Sequence, residues 1–274
     1  MFLDEMKHEA IPERVFALCE YVKNKPAMET DAKEYFEPKE VESKYGAKAS
    51  YFPMVRDAAS QFQLGLVNVT DKKITLAVDK AVVTSMETMR KYIIKHIDVI
   101  SNGLFYATSQ AYFELNEKAY DYLSVSDQGL MDALYQMTGR KLDVDDMRAW
   151  RFWAAYLGFG HLARATESNQ PQMNFLPNLY RYLQAAVEVS GLEKNKEYQI
   201  NDFMEAIQPM CSIAMKNAEE TRHLNMAMSY GLRMMHDTGE IELRYQLDNK
   251  NLWYLYPSEL HVLRSEISHI TVRR

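Results

Sequence analysis

The stretch QFQLGLVNVTDKKITLAV, residues 61–78, decides the fold. Leu64-Gly65 closes a helical series, because glycine reaches the left-handed backbone on which helices commonly end. Leu64, Leu66, Val67 and Val69, then Ile74, Leu76 and Val78, frame the polar turn Thr70-Asp71-Lys72-Lys73 as a β-hairpin. Upstream, residues 50–62 place Tyr51, Met54, Val55, Ala58, Ala59 and Phe62 on one helical face, with Pro53 in the first turn, where proline is tolerated. A helix therefore delivers the chain directly into a two-stranded ribbon.

The same order recurs twice, in WAAYLGFGHLARATESNQPQMNFL (residues 153–176) and MSYGLRMMHDTGEIELRYQLDNKNLWYLYP (residues 228–257). In the second copy a helix over 126–138 precedes one over 143–156, whose opening acids Asp143, Asp145 and Asp146 suit the positive end of the helix dipole. In the third, residues 218–236 read as one long helix, followed by a strand over 240–247, a turn at 248–251 and a strand over 252–256. Further helices are predicted at 11–24, 32–36, 85–101, 104–122 and 178–190. A helix capped by Asn201 should end at Ile207 because Pro209 breaks it, and residues 197–200 read as a short strand. The tail, 259–274, carries Leu260, Leu263 and Ile267 and either docks back or recruits a partner.

At 274 residues, 47% of them hydrophobic, the chain holds one large domain or two to three small ones. A mean hydropathy of -0.39 suits a globular chain, and no apolar run approaches the ~20 residues of a membrane span. MFLDEMKHEA carries acids where a signal peptide would be basic, so the chain reads as cytoplasmic. Cys19 and Cys211 have no partners at zinc-site spacing, and Cys19 falls on the apolar face Val15, Leu18, Cys19, Val22. The net charge of -6 has the wrong sign for coating nucleic acid, so local patches must carry any phosphate contact.

Such patches exist. Lys44, Lys48 and Arg56 flank or occupy the helix before the first hairpin, and Lys72 and Lys73 sit at its tip. In the second copy Arg140 and Lys141 lie in the turn, Arg148 and Arg151 on the helix, and Arg164 on the hairpin. In the third, Arg222, Arg233, Arg244 and Lys250 are offset by Glu219, Glu220, Glu240, Glu242 and Asp248. The 18 Tyr, 11 Phe and 3 Trp fall mostly at core spacing, as do the methionines between 204 and 235. Glu220-x-x-His223 is half of a helical di-iron motif, and a metal enzyme is the remotest reading. Phosphate-loop, Gly-x-Ser-x-Gly and His-Glu-x-x-His signatures are absent from the sequence, so no catalytic residue, metal or cofactor is assigned.

The helix, helix, glycine and hairpin repeats resemble the winged-helix superfamily, and their tandem arrangement is similar to the kite proteins that hold the kleisin of condensin-like ATPase machines. The resemblance implies a mainly α fold with small β-hairpins (α+β), built of units at 1–84, 85–177 (a linker helix and second unit) and 178–274. It also implies a non-catalytic adaptor. One expectation is docking of double-stranded DNA through Lys44, Lys48, Arg56, Lys72, Lys73, Arg140, Lys141, Arg148, Arg151 and Arg164, within a bacterial or phage DNA-processing or defence complex. The alternative is a protein scaffold or self-associating subunit, which the acidic charge and Trp150, Trp253 and Tyr254 favour. On the DNA reading, replacing Lys72 and Lys73 together with Ala weakens binding equally across sequences and flattens its salt dependence; an unchanged salt slope removes the wing from the interface.

Overall fold

The computed structural model describes residues 2–38, 50–61, 63–122, 127–164 and 173–273, with the side chains of 164, 173 and 174 left aside. The chain is α+β, with helices dominating and small antiparallel sheets at their edges. Among the described residues no helix is long and apolar enough to cross a membrane.

The first unit runs α1 (Pro12–Val22), β1 (Ala27–Met28), α2 (Glu29–Phe36), α3 (Phe52–Ala59), β2 (Val67–Thr70) and β3 (Lys73–Leu76). Pro12 opens α1, where its missing N–H costs nothing. Val15, Leu18, Cys19 and Val22 form its buried face. The ribbon pairs Val67 with Leu76 and Thr70 with Lys73, while β1 joins the other side of β3 through Ala27 and Ile74. The sheet order is therefore β1-β3-β2.

A middle group follows: α4 (Met86–Lys95), α5 (Leu104–Glu114), α6 (Lys118–Asp121), α7 (Asp127–Thr138), α8 (Val144–Leu157), and the ribbon of β4 (Gly160–Arg164) and β5 (Met173–Pro177). Ser85 with Thr88, and Asp143 with Asp146, close reciprocal capping boxes at the starts of α4 and α8. Helix α5 is buried over most of its surface, through Leu104, Phe105, Tyr106, Thr108, Ser109, Ala111, Tyr112 and Phe113, with Ala107, Gln110 and Glu114 forming a half-buried stripe. A helix covered this widely is an interior helix, and the core rings pack about it.

The third unit comprises α9 (Tyr180–Val189), β6 (Lys196–Gln199), α10 (Ile200–Cys211), α11 (Ala218–Thr221), α12 (Met226–Asp237), β7 (Ile241–Arg244), β8 (Trp253–Tyr254), β9 (Glu266–Ile267) and β10 (His269–Val272). Its sheet order, β6-β10-β7, repeats that of the first unit, with the last strand in the middle. The chain folds these units around a continuous core that runs from Phe2 to Val272.

Several local expectations are corrected. Pro209 lies inside α10, which continues to Cys211; Met210 and Cys211 are buried there, and that burial offsets the roughly 3 kcal/mol a helical proline costs. Residues 218–236 are two helices, split where Arg222 turns left-handed at φ 58° and Asn225 caps the next start by accepting the Met228 N–H. Residues 252–256 are not the return strand of the third hairpin: β8 pairs β9, and β7 pairs β10 from the tail. The tail thus docks back as a central strand.

The glycine punctuation also differs in the third copy. Gly65 and Gly158 are left-handed, at φ 65° and 91°, and Gly158 forms the C-terminal cap of α8. Gly231 instead lies within α12, and its role is close approach to α9. A Cβ there would stand 2.7 Å from Leu183 Cδ1 and 2.9 Å from the Leu179 carbonyl carbon. Gly231→Ala must part the two helices and is expected to cost about 1–3 kcal/mol, read as a lowered denaturant midpoint. A midpoint unchanged or raised would show that the α9–α12 contact yields freely.

Candidate functional site

In the first unit, α3 and the β2–β3 ribbon are the elements on which the sequence placed its candidate cations. Phe52, Val55, Ala58 and Ala59 bury one side of α3. Its start is held by the Glu37 carboxylate, which accepts the backbone N–H of Tyr51 at 2.5 Å and of Phe52 at 2.6 Å. Arg56 on the outer side is engaged: its guanidinium pairs with Glu29 at the start of α2 and with Asp57 at 2.6 Å. The predicted cation of the reading helix is therefore neutralised within the unit. Lys44 and Lys48 lie outside the described residues.

The wing is different. Thr70 and Lys73 are paired across a two-residue turn in which Asp71 and Lys72 have φ of 50° and 61°. Two left-handed residues define the turn type whose twist matches a hairpin, and its second position favours glycine. Lys72 occupies it instead, with its carbonyl oxygen accepting the Glu29 N–H at 2.8 Å. Lys72 and Lys73 are both exposed, and neither side chain has an ion-pair partner among the described residues. Here the structure brings two of the predicted cations together.

Most of the other basic residues are spent on structure. Arg151 is buried to 9% side-chain exposure, and its fork meets both oxygens of Asp127, at 3.0 and 2.5 Å, joining α8 to α7. Its remaining nitrogen, Nε, is unpaired but buried out of a phosphate's reach. Arg148 pairs with Asp145 at 3.1 Å, and Arg140 donates to the Asn102 carbonyl oxygen at 3.0 Å. Lys141 borders a cleft of about 450 Å³ that Asp4, Glu5, Glu9, Asp143 and Asp145 make acidic. Asp146, at the same cleft, accepts the Met6 N–H at 2.7 Å, and burial raises its pKa. Arg164 ends β4, and the tip of that ribbon falls outside the described residues.

Other sequence candidates are relocated by packing. Trp150 and Trp253 are buried, with Nε1–H groups donating to Ser109 Oγ and Asn201 Oδ1, so neither forms a partner surface. The Glu220 and His223 pair loses its helical spacing at Arg222, and His223 stacks on Tyr254 at 4.6 Å. Cys19 is buried, which pushes its thiol up to about 12. The helical tail series Leu260, Leu263 and Ile267 named Leu260 but missed Val262; the two stand 99% and 104% exposed in the connection between β7 and β10. Their alternate spacing, read as a strand rather than a helix, was the available signal.

Comparison with protein-family models, with curated proteins and with solved structures finds no match to this chain. The two-lysine turn yields a direct test. Lys72→Gly relieves a left-handed side chain, a strain of roughly 1–2 kcal/mol, against a smaller entropic loss for glycine. The expected net gain is about 0.5–1 kcal/mol, measured as a raised urea midpoint at constant slope. A lowered midpoint would mean that the Lys72 stem packs on the ribbon.

Proposed function

We propose that the chain is a non-catalytic adaptor of tandem winged-helix units whose main binding surface meets protein. Support for the winged-helix reading comes from the strand, helix, helix, strand, strand order of the first unit, with the final strand central, which the third unit repeats with α11 and the β8–β9 pair inserted. The observation that carries the protein-binding reading is the location of the three most exposed aliphatic side chains among the described residues. Leu247, Leu260 and Val262, at 74%, 99% and 104% exposure, all stand on the long connection between β7 and β10. Aliphatic groups in this setting gain by leaving water against another protein, and gain nothing beside phosphate. Arg56, Arg148 and Arg151, the cations of the helices that would read DNA, are paired with the chain's own carboxylates.

A second reading, docking of duplex DNA at the first wing, is favoured by the exposed and unpaired Lys72 and Lys73. Two wing lysines supply a shallow salt dependence, since each phosphate contact adds only about one unit of slope. The discriminating experiment combines solution mass by light scattering with binding to a labelled random duplex across a salt series. The adaptor reading expects a self-associated species that Leu260→Asp with Val262→Asp converts to monomer, and negligible duplex binding at moderate salt. A monomeric wild type that binds duplex at micromolar affinity, with binding lost in Lys72→Ala/Lys73→Ala, overturns it in favour of DNA.

A further inference from the structure

Helix α10 carries Asn201, Met204, Glu205 and Gln208 at the i, i+3, i+4 and i+7 spacing of one helical face, and all four line a cavity of about 240 Å³. Met215, Glu219, Arg222 and Trp253 complete its wall. Met204, Met215 and Trp253 are buried and form an apolar floor. The rim is charged, with Glu205 and Glu219 exposed and Arg222 half-buried. The volume lies below the roughly 300–1,000 Å³ of sites for drug-sized molecules, so the ligand that fills it is small.

Arg222 ends α11 in the left-handed conformation, at φ 58° and ψ 18°, which glycine and asparagine enter more readily than arginine. Its backbone is pinned from both sides. The Arg222 N–H donates to the Ala218 carbonyl oxygen at 2.7 Å, and the Arg222 carbonyl oxygen accepts the Tyr254 N–H at 2.8 Å. A side chain held in a disfavoured backbone conformation at a cavity wall is a candidate for function. Its guanidinium has no hydrogen-bond or ion-pair partner among the described residues, and neither has the Glu205 carboxylate of the same cavity. Two opposite charges thus share one cavity without meeting. Glu219 is half engaged, one carboxylate oxygen accepting from Gln208 Nε2 at 2.8 Å. The Asn201 side-chain oxygen accepts the Trp253 indole N–H at 2.8 Å, which leaves the Asn201 NH2 group as a spare donor.

We propose that this cavity binds a free α-amino acid with an apolar side chain. The ligand's carboxylate takes the planar fork of Arg222, its ammonium meets Glu205 and the second oxygen of Glu219, and its side chain covers Met204, Met215 and Trp253. The charges select against other small molecules. Glu205 and Glu219 repel a phosphate or a dicarboxylate, and Arg222 repels a simple amine. A neutral apolar molecule takes water from both charges and returns no partner to either. A zwitterion satisfies the two sides at once. The proposal uses none of the residues on which the protein-docking and DNA readings rest, so its fate is separate from theirs.

The test is ligand-observed NMR titration of the full chain with L-leucine, L-methionine and L-phenylalanine, and with the deaminated and decarboxylated analogue of each, which for leucine are 4-methylpentanoate and 3-methylbutylamine. At least one amino acid is expected to bind saturably, with a Kd on the order of a millimolar or below. Both of its analogues should bind about tenfold more weakly or worse. Arg222→Gly removes the guanidinium and relieves the left-handed backbone, so this variant is expected to keep or raise the Tm while losing about tenfold or more in affinity. Glu205→Gln, a shape-conserving change at an exposed position, should weaken binding several-fold. Absence of saturable binding by all three amino acids overturns the proposal. So does an analogue that binds as tightly as its parent, or an Arg222→Gly variant that binds as wild type does. Should Arg222→Gly fail to fold, Glu205→Gln and the analogue series decide, and unchanged affinity in either overturns it.

Discussion

Helix α5 is buried over most of its surface, and most of its polar groups find partners inside the molecule, the Thr108 hydroxyl being an exception. Its first free N–H groups are met by the start of the chain: Leu104 donates to the Leu3 carbonyl oxygen at 2.7 Å and Phe105 to that of Phe2 at 3.3 Å. Ser109 donates back to the Phe105 carbonyl oxygen and accepts from Trp150. The Tyr112 hydroxyl donates to the Phe175 carbonyl oxygen at 2.6 Å. Around these bonds the rings interlock. Phe2 stands edge-on to Phe105 and Trp153, Phe105 lies against Phe159, and Phe159 meets Tyr182 of the third unit at 5.0 Å. Each ring contributes several kcal/mol of burial, and edge contacts add about 0.5–1.5 kcal/mol per pair. The units are therefore lobes on a common aromatic spine, and α5 is its axis.

Much of this was legible in the residues. Pro12, Ser85 and Asp143 start helices where their chemistry says they should, and Leu157-Gly158 ends one, whereas the helix expected to run to Leu64-Gly65 already stops at Ala59. The two-residue turn at Asp71 and Lys72 follows from four polar residues between alternating apolar ones. What escaped were decisions made at long range. The strand at Trp253 and Tyr254 and the strand at residues 269–272 are both β-rich, and only tertiary pairing selects the latter as the partner of β7. Gly231 looked like a terminator because its neighbours match those of Gly65, yet what it answers to is the backbone of α9. Pro209 stays helical because its neighbours are buried.

The candidate site was less legible than the fold, because a basic residue in sequence carries no mark of its partner. Arg56, Arg148 and Lys72 look alike along the chain. In space the first two are neutralised by Glu29, Asp57 and Asp145, and only Lys72, with Lys73, keeps an open charge. With a net charge of -6 the carboxylates outnumber the cations, and each of the helix arginines Arg56, Arg148 and Arg151 has one as a partner, whatever the topology.

The central position of β10 has one more consequence. Strands β6 and β7 are complete before the chain reaches residue 269, and until then they face each other across a gap one strand wide. Each borders it with a row of unsatisfied peptide groups. The connection from residue 245 to 268 is long enough that closing it costs little more entropy than closing a loop of half its length. The third sheet therefore takes its cohesion from the tail: β6 and β7 share no backbone bond with each other, and only His269–Val272 joins them.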